Sequence, residues 1–388
     1  MVNNIHLYPS PIISESRIFK ESQSLIKLNL VTQVLILGIA RDNLPKYEQK
    51  YKRVEIRRLN LWFASSQLSL FRYLSFLEYL LKSCLFVIRR KPEVLNCHSL
   101  HVLLVGVFYK LVHKSGKLIY DAHELETEVN GSKGMLRWFS KILERFCFRF
   151  VDEFIVVNHS IGRWYKQNYG VPRYTAIYNV PNAFSQNHKL REKSPGYLRK
   201  KLGLDSTELL CIYQGLLSQV RGVDEILSAF SSASSLYNIV FMGSGPLESQ
   251  IIKASNEQAN IHYHPPVEMK DVLSYTQDAD IGIHIIKNTC LNHYYCLPNK
   301  IFEYLLAGVP FVVSNFPEMA NIVHQTNAGW LTEPDGSSLM HTINSIKPVD
   351  LQNKKTNAQQ SRTIFSWETE ELKYREVFQS LCGLSNQS

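Results

Sequence analysis

The stretch NHYYCLPNKIFEYLLAGVPFVVS, residues 292–314, leaves few folds open to the rest of the chain. Pro298 can open a helix because the amide it lacks would find no partner in a first turn, and Gly308 followed by Pro310 closes it. The helix is therefore short and bounded at both ends. Ile301, Tyr304 and Leu305 fall at i, i+3 and i+4 and predict a buried stripe, which turns Asn299 and Glu303, four apart, to another side. Residues 309–314 then run apolar and β-branched, the pattern of a strand covered on both faces. A helix leading straight into such a strand is a unit of a parallel α/β sheet. Lys300 lies beside the free amides of the first turn, a place that attracts anions, and Glu303 one turn on can accept hydrogen bonds from two vicinal hydroxyls. Phosphate and diol together are what a nucleotide offers. On spacing alone, a surface helix with Lys300 and Glu303 as a solvated pair fits equally.

The run PNKIFEYLLAGVPFVVSNFPEM, residues 298–319, resembles the donor-site signature of the GT-B retaining glycosyltransferases of the glycogen-synthase-like and lipopolysaccharide-type group (glycosyltransferase family 4, group 1). The resemblance implies an α/β fold of two Rossmann-like domains facing across a cleft, with a C-terminal helix crossing back to the first. In the family the Glu matching Glu303 binds the ribose hydroxyls of a nucleotide sugar. Many members carry an earlier Glu, with seven residues between the two; here that position is Tyr295, and Asn292 or His293 takes over as a donor contact. The pair NCHSLHVLLVG and KLIYDAHELE is similar to two consecutive units of the family, in which the His matching His123 contacts the donor sugar and helps orient the reacting phosphate. Alone, a histidine at a strand end reads as structural. Ser16 and Arg17 resemble the Asp/Ser-Arg step of one branch, and with His98 and Glu124 they form the expected acceptor side. The glycine-rich loop usual after the first strand is here PSPIISES, without glycine.

In the second half, Gly215 follows an apolar run at 209–214, and Arg221-Gly222 precedes a helix with Val223, Ile226, Leu227 and Phe230 on one face. A cation at the place of Arg221 binds the donor pyrophosphate in the family. The Arg that many members have directly after the glycine is Leu216, so Arg221 and Lys300 neutralise the diphosphate together. Without the resemblance, Arg221 is a surface residue before a helix. Gly243 opens GSGP, a tight turn that permits close backbone approach but is not the dinucleotide fingerprint. By resemblance the loop at 265–267 packs on the nucleobase through the backbone of Val267. The expected donor-binding set is Gly215, Gly243, Val267, Asn292, His293, Asn299 and Glu303; the expected catalytic set is His123, Arg221, Lys300 and Glu303. Asp278-Ala279-Asp280 is formally a DxD, the metal-sugar motif of another glycosyltransferase fold, yet its place between a helix and a strand reads as a cap or turn. No metal or other cofactor is expected besides the nucleotide diphosphate sugar.

At 388 residues there is room for two domains. The boundaries expected are 1–185, with 367–388 packing back onto it, and 186–366, with a polar linker at about 183–205. Short strands are expected at 4–8, 34–38, 53–58, 94–97, 118–120, 153–157, 209–214, 238–242 and 330–334, and residues 347–362 read as a polar tail. Residues 1–187 hold 26 Lys and Arg against 14 Asp and Glu, so the excess of positive charge belongs to the first half. It clusters at 46–58 and 89–91 beside the aromatic, leucine-rich run at 68–88, which suits an anionic membrane surface or a lipid-diphosphate acceptor as well as a plain solvated face. That run is broken by Arg72, Glu78 and Lys82, too charged to span a bilayer, and no signal-peptide pattern opens the chain. Seven scattered cysteines without a CxxC pair fit a reducing cytosol. Nucleic acid is not expected, because the charge comes without zinc-finger spacing or an RNP-like aromatic pair.

The expected activity is transfer of a sugar from a UDP- or GDP-linked donor to a saccharide or lipid-linked saccharide, retaining and metal-independent, in surface polysaccharide or glycoconjugate synthesis. The expected place is the cytoplasm, peripheral on the inner membrane face. The alternatives are a nucleotide-sugar epimerase on the same frame, and an inactive nucleotide-sugar-binding protein suggested by Tyr295, Leu216 and the glycine-free loop.

Overall fold

Four-residue runs such as VLNC and FVVS are buried at every position, as inner strands of a parallel sheet must be. The computed structural model describes residues 3–41, 43–63, 69–131, 133–181, 196–205, 207–232 and 237–383, without the side chains of 69, 70 and 72. The chain forms two compact units, Met1–Asn179 with Glu370–Ser388, and Val180–Thr369.

The first unit contains β1 (Asn3–Leu7), α1 (Ser16–Lys27), β2 (Gln33–Ile39), β3 (Tyr47–Tyr51), β4 (Val54–Leu59), α2 (Ser69–Arg90), β5 (Val94–Cys97), α3 (Leu100–Val112), β6 (Lys117–Ala122), α4 (Gly134–Cys147), β7 (Glu153–Val156), α5 (His159–Tyr169) and β8 (Thr175–Ala176). Its sheet runs β3-β4-β2-β1-β5-β6-β7-β8, and β3 alone pairs antiparallel, with β4. The second unit contains α6 (Tyr197–Leu202), β9 (Leu209–Gln214), α7 (Val223–Ser231), β10 (Tyr237–Met242), α8 (Glu248–Glu257), β11 (Ile261–His264), α9 (Val272–Thr276), β12 (Ile281–His284), α10 (Leu291–Tyr294), α11 (Asn299–Ala307), β13 (Phe311–Ser314), α12 (Pro317–Thr326), β14 (Gly329–Thr332), α13 (Gly336–Ser345) and α14 (Pro348–Gln360). Its strands run β11-β10-β9-β12-β13-β14, all parallel. In each sheet the order reverses beside the first strand, at β1/β5 and at β9/β12, and the carboxyl ends there are where an open α/β sheet binds ligands.

Helix α15 (Trp367–Cys382) belongs mostly to the first unit, where Tyr374 and Phe378 are buried. Glu371 accepts from Ser24 at 2.6 Å and Lys27 at 2.7 Å, Glu370 accepts from the Tyr178 amide, and the Tyr374 hydroxyl accepts from Asn96.

Four expectations need correction. The basic cluster at 46–58 is not a uniform exposed face: β3 and β4 form a hairpin, and Arg58 is buried, donating to the carbonyls of Pro11, Ile12 and Pro45 and to Glu48. An arginine there satisfies the backbone of the loop after β1. That loop lacks glycine because the room is made on β2, where a Cβ on Gly38 would lie 2.5 Å from Ile12 Cγ1 and 2.6 Å from the Ser10 carbonyl oxygen. Residues 347–362 are not a tail but largely α14, opened by Pro348 at a helix start. Ile261–His264 is an additional edge strand, too short and too rich in histidine for its pattern to be read. The linker expected at 183–205 falls on residues 183–195, outside those described, and then on α6. Asp278 caps α6, accepting from the amides of Gly196 at 2.8 Å and Leu198 at 2.7 Å, while Asp280 pairs with Arg199 and accepts from the Leu210 amide. The DxD carboxylates are thus engaged in holding backbone. Among the described residues no helix is long and apolar enough to cross a membrane, and the cysteines are free.

Candidate active site

Helix α11 starts after Pro298, whose extended backbone turns the chain in, and ends at Gly308 in a left-handed conformation, φ 73°. Ile301, Phe302, Tyr304 and Leu305 are buried, and the Tyr304 hydroxyl donates to the carbonyls of Ile283 at 3.0 Å and Ile212 at 3.3 Å, fixing the helix to β12 and β9. That anchoring sets the other side of the helix against the end of β9. There Glu303 accepts from Gln214 Nε2 at 2.5 Å, and Gln214 in turn accepts from Thr276 at 2.6 Å. A half-buried carboxylate is thus oriented by a two-step relay.

Lys300 folds back along the chain. A Cβ on Gly215 (φ 111°) would lie 2.8 Å from Lys300 Cε, so glycine there is what admits the lysine, whose Nζ stands 5.2 Å from the Tyr213 ring centre. Burial and then the charge of Arg221 lower Lys300 to about 8. Burial followed by Lys300 and Arg221 holds His284 well below its usual range, and burial with Arg221 lowers His293. Arg221 and Lys300 therefore share one neighbourhood at the β9/β12 switch point. Arg221 ends a 3-10 turn, Gln219–Arg221, and Gly222 follows because a Cβ there would lie 2.6 Å from the Ile285 carbonyl oxygen. Gly243 is the second tight place: a Cβ would come 1.9 Å from the carbonyl oxygen of Gly215. Of the remaining expected donor contacts, Asn292 is buried and His293 half-buried on α10, where His293 Nδ1 meets Thr289 Oγ1 at 2.7 Å. Val267 is half-buried in the loop after β11, and Asn299 is exposed on the first turn of α11.

In the first unit the residues at the ends of β1, β5 and β6 form a second network. The Arg17 guanidinium donates twice to Asp121, at 2.9 and 2.8 Å, and once to the Ile177 carbonyl. Burial alone would raise Asp121, but the Arg17 guanidinium and the neighbouring histidines hold it well below the usual carboxylate range. Burial and the Asp121 charge push the adjacent Glu21 carboxyl well up, against the pull of the Arg17 guanidinium 3.1 Å away. An ionised Asp121 accepts, so His98 Nδ1 (2.9 Å) and His123 Nε2 (3.2 Å) carry hydrogens toward it. His98 Nε2 is then the acceptor for His6 Nδ1 at 2.7 Å, the two rings stacking with centroids 4.9 Å apart. Burial outweighs Asp121 and lowers His98 to about 4, leaving it a neutral imidazole. His123, half-buried, is the outward member. Arg17 and His98, expected on the acceptor side, are enclosed and contact Asp121; Ser16 is half-buried at the start of α1, and Glu124 is exposed.

Sequence reasoning passed over His6, Asp121, Gln214 and Thr276. Asp121 and Gln214 do end strands, the one signal they give; their partners lie 104 and 62 residues away. His98, Asp121 and His123 place three ligand-type atoms within 4.8 Å of one another. A cation there would sit beside the Arg17 guanidinium, which already takes both Asp121 oxygens, so the donor set fits a divalent metal poorly.

Two family models match the chain: Glycosyltransferase Family 4 over residues 28–183 and Glycosyl transferases group 1 over residues 208–346. No curated protein matches by sequence. Among solved structures, sucrose-phosphate synthase from Thermosynechococcus elongatus is similar with a TM-score of 0.79 at 14% identity, covering 99% of this chain and 100% of that one. HepE from Anabaena, in complex with UDP, is similar with 0.72 at 16%, covering 98% and 100%. HepE is also solved with UDP-glucose and with UDP and glucose. A glycosyltransferase from Rickettsia africae gives 0.69 at 14%, covering 99% of each. At such identities the likeness carries the fold, which is GT-B.

Proposed function

This chain belongs to the family 4, group 1 glycosyltransferases, and from that premise we propose that it moves a sugar from a UDP- or GDP-linked donor to a saccharide or lipid-linked saccharide, with retention and without a metal. The observation that carries the donor half is the Glu303–Gln214–Thr276 relay beside Lys300 and Arg221 at the β9/β12 switch point. An ionised carboxylate is an acceptor with several lone-pair positions, which suits a ribose diol, and two cations beside it suit a diphosphate. The UDP and UDP-glucose bound by HepE support the nucleotide-sugar reading.

In the reaction the bond from the anomeric carbon to the diphosphate oxygen breaks, and its electron pair leaves with the diphosphate. The acceptor hydroxyl oxygen bonds to the same face of that carbon, and its proton passes to the departing phosphate oxygen. Lys300 and Arg221 stabilise the charge that develops there. His123, oriented by Asp121, contacts the donor sugar. The product class is a surface polysaccharide or glycoconjugate, with the basic first unit placed against an anionic membrane.

Glu303→Ala and Arg221→Ala are each expected to lower transfer roughly a hundredfold, about 3 kcal/mol of lost charge-assisted bonding, without shifting the melting of the ligand-free protein. Turnover within threefold of wild type in either variant would overturn the assignment. His123→Ala should reduce kcat more than nucleotide affinity. Donor incubated without acceptor gives no epimer if transfer is the reaction.

A further inference from the structure

Helix α4 faces the wrong way. Its buried residues are Glu144 and Cys147, whereas Leu136 (73% exposed), Trp138 (57%), Phe139, Ile142 and Phe146 point to solvent. A helix laid on a sheet normally buries its apolar stripe, so this one is inverted. The neighbouring helices extend the patch: α3 packs on α4 and exposes Phe108, Leu111 and Val112, and α2 packs on α3 and exposes Tyr73, Leu77, Leu81 and Leu85 at spacings of four. Scattered exposed leucines are ordinary; exposed apolar residues gathered on three helices packed side by side mark a partner.

The charge around the patch identifies that partner's chemistry. On the described parts of these helices the only acids are Glu78, paired with Lys82, and the buried Glu144. Arg137 and Lys141 share the single acid Glu128, while Lys133, Arg145 and Arg149 have no acidic partner among the described residues. At the carboxyl end of α4 a groove of about 540 Å3 is lined by Ile142, Phe146 and Val171 together with Arg145 and Arg149, and by Arg173 and Asp152, which are already paired with Glu153 and Lys110. Arginines around an apolar groove fit phosphate headgroups and the acyl chains below them. A second copy of the chain suits this face less well, because self-docking would bring the same unpaired cations together.

We propose that α4, with the outward sides of α2 and α3, docks on the surface of a bilayer containing anionic phospholipid, α4 lying in the interface with Trp138 and Phe139 among the acyl chains. This rests on the peripheral attachment proposed above and names its face, a different one from the β3–β4 hairpin; it is independent of the Glu303 chemistry.

The test is sedimentation of the full chain with vesicles of phosphatidylcholine alone and with 40% phosphatidylglycerol (roughly a physiological surface charge), at low and high salt. Binding to the anionic vesicles, weakened by salt, is expected, and Leu136→Ser/Trp138→Ser/Phe139→Ser should lower partitioning at least tenfold while melting temperature and UDP binding stay unchanged. Arg145→Glu/Arg149→Glu should abolish the preference for anionic lipid. Glu303→Ala must bind vesicles like wild type, which separates this proposal from the donor-site reading. Failure of wild type to sediment, equal partitioning of the triple variant, or a concentration-dependent dimer in lipid-free buffer that the triple variant dissolves would each overturn it.

Discussion

Helices α11 and α4 have similar one-sided apolar patterns and opposite fates. In α11 the apolar side is inside, and the polar residues Lys300 and Glu303 are left half-buried where the sheet order reverses. In α4 the apolar side is outside, and what faces the core is Glu144, whose carboxylate accepts from the hydroxyls of Tyr120 and Tyr165, both at 2.7 Å. Periodicity identifies a stripe but not its direction. Direction is set by the partner: Tyr304 finds two strand carbonyls beneath α11, and Glu144 finds two tyrosines beneath α4.

The inward hold on α11 depends most on Tyr304. Tyr304→Ala should cost about 3–5 kcal/mol, a large aromatic lost from the core, read as a lower denaturant midpoint for the second unit. A midpoint within error of wild type would mean that α11 is not held by this side chain.

Next is Glu144. Burial raises it to about 7 although the tyrosine hydroxyls pull the other way. The unfolded chain releases this proton near 4.5 and the folded chain only near 7. The group's contribution is therefore full below about 4.5 and lost as pH rises through about 7. Glu144→Gln should remove that part of the pH dependence and leave the variant more stable than wild type above pH 7.5, by about 1–3 kcal/mol. Parallel stability-against-pH curves for the two proteins would contradict the buried, raised carboxyl.

Lys300 gives a smaller, binding-side effect. With its ammonium at about 8, affinity for a nucleoside diphosphate should be flat below that pH and fall as pH rises past it, at most about tenfold per unit, or ~1.4 kcal/mol. Calorimetric titration from pH 6.5 to 9.5 checks this, and a Lys300→Met variant should show a flat profile. The smallest effect is expected on the outward side of α4, where Leu136→Ser and Phe139→Ser should each change stability by no more than about 0.5 kcal/mol. A loss of several kcal/mol would mean that this side is packed after all.

The contrast also explains what could be read from the residues. Helix α11 was legible to its caps because Pro298 and Gly308 act locally, and strands such as Val94–Cys97 because burial on both faces leaves an unbroken apolar run. Lys300 and Glu303 could be singled out together because both lie in one unbroken run, residues 298–319, whereas Gly215 comes from a separate segment. The bonds that join the first-unit network were not legible: Arg17 and His98 stood out singly, but they meet His6 and Asp121 from four separate segments, and the topology of the sheet is what joins them. Arg58 was misjudged as surface charge because nothing near it in sequence announces the three carbonyls it satisfies. A charged residue reads as exposed until its distant acceptors are known.

The placement of α15 bears on how the protein is made. The first unit begins at the amino terminus, yet Glu370, Glu371 and Tyr374, which bind its α1, β5 and the segment after β8, are translated only after all of Val180–Thr369. At about 5–20 residues per second, that interval is on the order of 10–40 s. During it, the half that emerges earliest must wait unfinished on the ribosome, its α15 seat uncovered, while the half that emerges later can already have closed.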